Sequence, residues 1–213
     1  MKRVGFFVIA GLIASVALAA AAAAPAQMHL TPESLTAAKS LGSSSAPIRV
    51  DEFSDFQCPA CGNFYRNTLR QVIDNYVSTG KVFVVHHDFP LNMHSHSHEA
   101  ARWANAAAAA GLFEPVEQAL FTHQDDWGAT GKIEPMLAET LSPSEMKKVE
   151  SIYQQDAAQL DAAVAADIAL GQSKNVNQTP TVFVTAHGKT EALPGGGVDY
   201  KLLKSYFDYL LRQ

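Results

Sequence analysis

The chain has 213 residues, 47% of them hydrophobic and 17% charged, with 13 Gly, 10 Pro and 2 Cys. These proportions exclude collagen-like, coiled-coil, disordered and disulfide-rich classes and leave a globular chain with enough apolar material for a core. The net charge of −5 and the lack of a basic stripe argue against nucleic acid or an anionic membrane surface as partner.

Met1-Lys2-Arg3 precedes a nearly unbroken apolar run from Val4 to Ala24, and Ala24-Pro25-Ala26 forms an A-x-A pattern before Gln27. This is the layout of a secretory signal peptide. The run is also long enough for an uncleaved anchor, but its small, alanine-rich end favours cleavage. No cysteine follows that could carry a lipid. Residues 1–26 are therefore a leader, and the mature chain is expected in a periplasmic or other extracytoplasmic space, where disulfides persist.

Residues 27–46 are polar and Ser/Ala-rich, ending in Gly42-Ser43-Ser44-Ser45-Ala46-Pro47, and predict a flexible lead-in. Ile48 to Phe53 alternates as a strand does. From Asn63 the period changes: Tyr65, Leu69, Val72, Ile73 and Tyr76 share one helical face, and Gly80 stops the helix. Lys81 to His87 is β-branched and aromatic, a second strand closed by Pro90. A strand, helix and strand in this order make a parallel βαβ unit.

The stretch from about 95 to 172 is helical. Leu141-Ser142-Pro143-Ser144-Glu145-Met146 holds a capping box with Pro at the first helical position, and Asp156 to Leu170 is an Ala-rich helix. After Thr179-Pro180, Thr181 to Val184 is a third strand, and Lys189 to Leu193 a fourth beside it. An amphipathic helix capped by Asp199 ends the chain. The order is β-α-β, helical insert, β-β-α, one domain over 47–213. A domain of roughly this size buries about 70% of its unfolded surface and needs no cross-link.

Cys58-Pro59-Ala60-Cys61 joins the first strand to the first helix. A structural disulfide there would remove only about 1.9 kcal/mol of unfolded-state freedom. A zinc site needs four ligands, and no second Cys pair supplies them. A redox dithiol matches better. The first Cys stands where free N–H groups and the helix dipole favour thiolate, and Pro59 fixes the turn with no N–H to lose. The second lies one turn along.

Glu52-Phe53-Ser54-Asp55-Phe56-Gln57-Cys58-Pro59-Ala60-Cys61, then His87-Asp88-Phe89-Pro90-Leu91, then Thr179-Pro180-Thr181 together resemble the DsbA-type thiol–disulfide oxidoreductases. The resemblance implies an α/β, thioredoxin-like fold with an inserted helical subdomain. It implies Cys58 as exposed nucleophile, Cys61 as buried resolving thiol, and Glu52 as the acid beneath the site that helps move the buried thiol's proton. It also makes Thr179-Pro180 a cis-proline loop that pairs with substrate peptide. Two positions depart from the family. Gln178 replaces the usual Gly before Thr-Pro, so it is a candidate substrate contact. Ala60 replaces the histidine of the best-known members and offers only its backbone N–H, which predicts a less acidic Cys58 and a less oxidising disulfide than theirs.

No cofactor or resident metal is implied. The implied partners are reduced or unfolded exported client proteins and a membrane re-oxidising partner of the DsbB or vitamin K epoxide reductase type. A monomer is expected, and the short lead-in, with no separate dimerisation domain, disfavours an isomerase. Reductase or isomerase activity on the same fold is the near alternative, and a non-catalytic holdase or metal-binding module the distant one. His94, His96 and His98 could face one metal, but no carboxylate sits among them, and a loop in which Ser95 or Ser97 caps the next helix is the simpler reading. His86 and His87 are expected at a surface strand end, Trp103 and Trp127 in the core of the helical insert, and Asp125-Asp126 in a solvated turn.

Overall fold

The computed structural model describes Met1 and residues 30–213; the expected leader falls almost wholly outside these residues. Five strands form one mixed sheet in the order β1-β3-β2-β4-β5. They are β1 (Ser40–Leu41), β2 (Ile48–Ser54), β3 (Val82–Asp88), β4 (Thr181–Ala186) and β5 (Lys189–Ala192). β2 and β3 run parallel, with Val50 opposite Val84 and Glu52 opposite His86. Every other neighbour pair is antiparallel.

Helix α2 makes the crossover between β2 and β3. It starts as an α-helix (Pro59–Phe64) and alternates with wider π-type turns at Tyr65–Leu69 and Ile73–Val77 around Arg70–Val72. Tyr65, Leu69, Val72, Ile73 and Tyr76 are all buried. Between β3 and β4 lie α3 (Ser97–Ala110), α4 (Phe113–Thr122), α5 (Gln124–Trp127), α6 (Ile133–Thr140), α7 (Pro143–Gln155) and α8 (Ala157–Ser173). The alanines of α3 let its backbone pack closely on α7, α4 and α8. The predicted capping box is present: Ser142 accepts from the Glu145 N–H, and the Glu145 carboxylate accepts from the Ser142 N–H at 2.9 Å. The final helix, α9 (Tyr200–Leu210), is capped by Asp199 and packs on α2, where Tyr76 and Phe207 meet edge-on at 5.4 Å. Trp103 and Trp127 are buried in the insert, whereas Asp125 and Asp126 are exposed on α5 rather than in a turn.

Three further expectations are corrected. The lead-in is not loose along its length: helix α1 (Pro32–Ala38), with its own capping box at Thr31, and strand β1 lie within it. The reason is Lys39, which is fully buried and donates to Asp88 and Asp167. His86 and His87 are not at a surface strand end. Both are buried within β3, because each pairs with carboxylates on its own side of the sheet. Helix α3 has no serine cap: His96 holds the cap position without a side-chain bond, and Ser97 is the first helical residue.

β2 is covered on both faces, which is why its alternation fades after Val50: Asp51, Glu52, Phe53 and Ser54 are all buried. Side chains two apart share a face. Glu52 and Ser54 therefore look toward the α2 side of the sheet, and Asp51 and Phe53 toward α1 and α8.

Candidate active site

Cys58 is the N-cap of α2, in extended conformation with Pro59 at the first helical position. Its N–H donates to the Asp55 carbonyl at 3.0 Å, and its own carbonyl accepts from Gly62 N–H at 3.1 Å. Gln124 of α5 clamps the turn from the insert, its Nε2 donating to the carbonyls of Phe56 (2.6 Å) and Cys58 (2.9 Å). Gln57 ties the same turn to the insert through Gly128 and accepts from the His96 N–H.

Both cysteines are present as thiols. Cys58 keeps 7% of its surface exposed and Cys61 none, so only Cys58 can be reached from outside. The Cys58 thiol points at the Thr179 carbonyl, 3.6 Å away, and the Thr179–Pro180 peptide is cis. The structure thus brings Cys58, Cys61, Thr179 and Pro180 together, with Pro59 and Ala60 exposed at the turn between the cysteines. Gln178 is exposed as well, but its amide folds against Gly195, where an added Cβ would collide with it.

The two thiols are driven apart electrostatically. A hydrogen bond from Cys61 favours the Cys58 thiolate most; burial opposes it, and Thr179 with the backbone N–H groups of Cys61 and Ala60 adds to it. The net effect brings Cys58 down to about 5. Cys61 goes the other way, pushed well up by burial and by the negative charge forming on Cys58. A separated pair of this kind suits a nucleophile and a resolving thiol.

Glu52 is fully buried on the α2 side of β2, and burial raises its carboxyl to about 7, against the pull of the His86 cation and with the push of Glu117. Glu52, His86 and Glu117 each bring a ligating atom within 4.8 Å of the others. That spacing would also suit a cation, but His86 Nδ1 already lies 3.4 Å from Glu117 Oε1 and no member reaches solvent. His94, His96 and His98 do not converge: His94 Nδ1 bonds Asp55 at 2.7 Å, the His96 ring sits over Gly131, and His98 is exposed.

Sequence reasoning missed four contributors. Asp55 is a buried hub that accepts from Gln57 and Leu91 N–H groups, while its own N–H donates to Cys61 Sγ at 3.4 Å. Ser54, Glu117 and Gln124 were also missed. The carboxylate two residues after Glu52-Phe53 was a usable signal for Asp55. Glu117 and Gln124 carried none, since they come from the insert far along the chain.

Comparison with known proteins fits this geometry. The family model described as Thioredoxin matches residues 35–194. The chain belongs to the thioredoxin family. Among structures of this fold, a variant of alpha-DsbA1 from Wolbachia pipientis superposes with a TM-score of 0.66 at 23% identity, covering 84% of this thioredoxin-family chain and 95% of that one. The likeness extends to the helical insertion between β3 and β4, so the fold is the DsbA-type variant. The sodium/proton antiporter NhaA 3 of Salinispora tropica is 31% identical over 144 residues, 67% of this chain but 21% of the antiporter. This thioredoxin-family chain thus spans about a fifth of that relative's length. The probable disulfide bond formation protein D of Bacillus cereus is 40% identical over 53 residues, 25% of this chain and 24% of that protein. No helix among the described residues is long and apolar enough to cross a membrane.

Proposed function

We propose that this chain is an exported thiol–disulfide oxidoreductase that oxidises client protein thiols through Cys58 and Cys61. The observation that carries the reading is the Cys58 thiol, the more accessible of the pair, directed at the Thr179 carbonyl beside a cis Pro180. An extended client strand can pair with that loop and present a sulfur to Cys58. In the oxidised enzyme a client thiolate attacks Cys58 Sγ, the Cys58–Cys61 bond breaks, and Cys61 leaves. A second client thiolate then attacks the client sulfur of the mixed disulfide. The client gains a disulfide and Cys58 departs as thiolate.

The direction follows from the acidity of Cys58. A thiolate held at about 5 stabilises the reduced form at neutral pH, and a stabilised reduced form makes the disulfide a stronger oxidant. Clients are reduced or unfolded exported proteins. A membrane partner of the DsbB or vitamin K epoxide reductase type restores the disulfide. Cys58 and Cys61 do the exchange, Glu52 handles the proton of Cys61, Thr179 and Pro180 with Gln178 line the client strand, and Pro59 and Ala60 shape the turn.

The experiment is the reduction potential of the Cys58–Cys61 pair measured against glutathione, together with oxidation of a reduced unfolded client. The reading expects a pair more oxidising than glutathione, client oxidation abolished by Cys58→Ser, and mixed disulfides trapped by Cys61→Ser. A pair more reducing than glutathione would assign the chain to reduction. Full activity in Cys58→Ser would end the proposal.

A further inference from the structure

Residues 193–199 join β5 to α9 and hold three consecutive glycines, Gly195, Gly196 and Gly197. The segment is tied down at both ends. The Leu193 N–H donates to the Val182 carbonyl of β4 at 2.9 Å, and the Thr68 hydroxyl of α2 donates to the Val198 carbonyl at 3.0 Å. Gly197 rests on the Phe64 ring of α2, where an added Cβ would stand 2.9 Å from the ring edge. Gly196 and Gly197 have φ of +84° and +87°, the left-handed region that glycine enters without steric cost. Gly195 is outside that region, so its backbone does not call for glycine. What fills the place of a side chain there is the amide of Gln178. Its Nε2 occupies the position a Cβ would take, and its Oε1 lies 3.4 Å from that position. An exposed glutamine gives up rotamer freedom to hold such a pose, and Gly195 supplies the room for it.

We propose that Gln178 and Gly195 are a matched pair that closes one wall of the client groove, so that Gln178 limits the size of the side chain a client can carry beside its reacting cysteine. This rests on the thiol–disulfide reading and adds to it a rule of client choice. The Thr179 carbonyl lies 3.6 Å from Cys58 Sγ. A strand advances about 3.3 Å per residue, so the client residue next to the one opposite Thr179 comes opposite Gln178. The Gln178 backbone is itself held, its carbonyl accepting from the Thr181 hydroxyl at 2.8 Å. From that fixed point the side chain spans the gap to the glycine segment lying on Phe64. A glycine or alanine in the client passes this wall. A tryptophan has to displace the amide toward a segment anchored at both ends, and a polar amide returns little apolar contact for the effort.

The test reduces the oxidised full chain with excess single-cysteine peptides that carry Gly or Trp on one or the other side of the cysteine. One peptide thiolate attacks Cys58 Sγ and releases Cys61 as thiolate; a second attacks the mixed disulfide, giving a peptide disulfide and the dithiol chain. Rates are divided by peptide thiolate concentration, and the readout is the Gly-to-Trp ratio at each flank, which an overall loss of activity does not move. The wild-type ratio should be about tenfold at one flank and near unity at the other. Gln178→Gly should bring the first ratio near unity. Gly195→Ala puts a methyl where the amide lies, so it should change the ratio in the wild-type background and leave it alone in the Gln178→Gly background. The wild-type chain gives a check free of variants: the Gln178 side-chain amide protons should show nuclear Overhauser contacts to the Gly195 α-protons. Ratios near unity at both flanks in the wild type, a ratio that survives Gln178→Gly, an equal effect of Gly195→Ala in both backgrounds, or absence of those contacts each overturns the pair. Failure of the underlying reading looks different: the wild-type disulfide would exchange with none of the peptides, or Cys58→Ser would remain active.

Discussion

Lys39 donates to Asp88 inside the fold with both side chains wholly excluded from solvent, and Asp167 accepts from the same ammonium at 2.7 Å. Asp88 also takes a bond from Asn105 at 2.6 Å, so α1, β3, α3 and α8 meet at one charged knot. Removing the cation strands two buried carboxylates. Lys39→Met should cost about 3–5 kcal/mol of unfolding free energy in urea. The exposed Lys147→Met should change it by less than about 0.5 kcal/mol. A loss below about 1 kcal/mol for Lys39→Met would mean that the knot is dispensable.

The titrating groups set a pH window for stability. Burial opposes ionisation of Asp51, but Arg49 and His87 overcome it and bring the carboxyl to about 2. Lys39 does the same for Asp88 and Asp167. Their contribution is present above the ordinary value of 3.8 and is lost as pH falls through the lowered folded values. His86 runs the other way. Burial disfavours its charge, yet Asp88 and Glu117 raise it to about 10, so its contribution is complete below 6.5 and is lost as pH rises through 10. Glu52, raised to about 7, favours the fold fully below 4.5 and loses that as pH rises through 7. In the disulfide chain, where Cys58 does not titrate, melting temperature should therefore peak under weakly acidic conditions and decline on both sides. Glu52→Gln should remove the decline between 4.5 and 7 and keep the alkaline one. A flat profile up to 10 would rule out the buried His86 cation.

Much of this architecture was legible in the chain. Period changes marked β2, α2 and β3, and the Ser142 and Asp199 caps marked α7 and α9, because these signals depend on neighbours within a few residues. Cys58, Cys61 and the Thr179-Pro180 pair were legible for the same reason: each sits in a local motif. What escaped was held by long-range charge. Nothing near Lys39 says that its partners lie at Asp88 and Asp167, 49 and 128 residues away, so in sequence the segment reads as a polar linker. His86 and His87 looked like a wet strand end because buried histidines need carboxylates, and Glu117 and Asp167 come from the insert. The contributors to the site that were missed follow the same pattern: Gln124 lies 66 residues from the Cys58 carbonyl that it holds.

The acidity of Cys58 can be measured directly. Thiolate absorbance and alkylation rate should both titrate near 5, and Cys58→Ser should abolish that transition. Because the folded value lies below the ordinary 9.0 of a cysteine thiol, the thiolate stabilises the reduced fold, fully above 9.0, and that gain is lost as pH falls through about 5. The dithiol chain should therefore melt above the disulfide chain at neutral pH, with the gap closing in acid. Ala60 is exposed between the cysteines and gives the thiolate only its N–H. Ala60→His should lower the proton affinity of Cys58 by about tenfold and make the disulfide more oxidising. An unchanged titration in that variant would mean that the second dipeptide position does not tune the pair.

Gln124 offers the sharpest test of how the insert supports the cysteines. Its Nε2 carries the only side-chain bonds to the carbonyls of Phe56 and Cys58 found among the described residues, and its Oε1 closes over Gly62, where an added Cβ would stand 2.5 Å away. Gln124→Ala takes the side-chain donor from the Phe56 carbonyl and leaves the Cys58 carbonyl with the Gly62 N–H alone, and should cost about 1–3 kcal/mol in urea. Gln124→Glu keeps the size but sets a carboxylate oxygen against the same two carbonyls, so it should cost more than alanine does, and most at neutral pH, where the new group is ionised. Were Gln124 only filling space, the order would reverse, because Glu preserves the volume that Ala deletes. Exchange with a small thiol adds a second readout. If the clamp fixes the turn that presents Cys58, both variants should slow exchange in the same order as they lose stability, and a destabilised variant with wild-type exchange would confine Gln124 to the packing of α5.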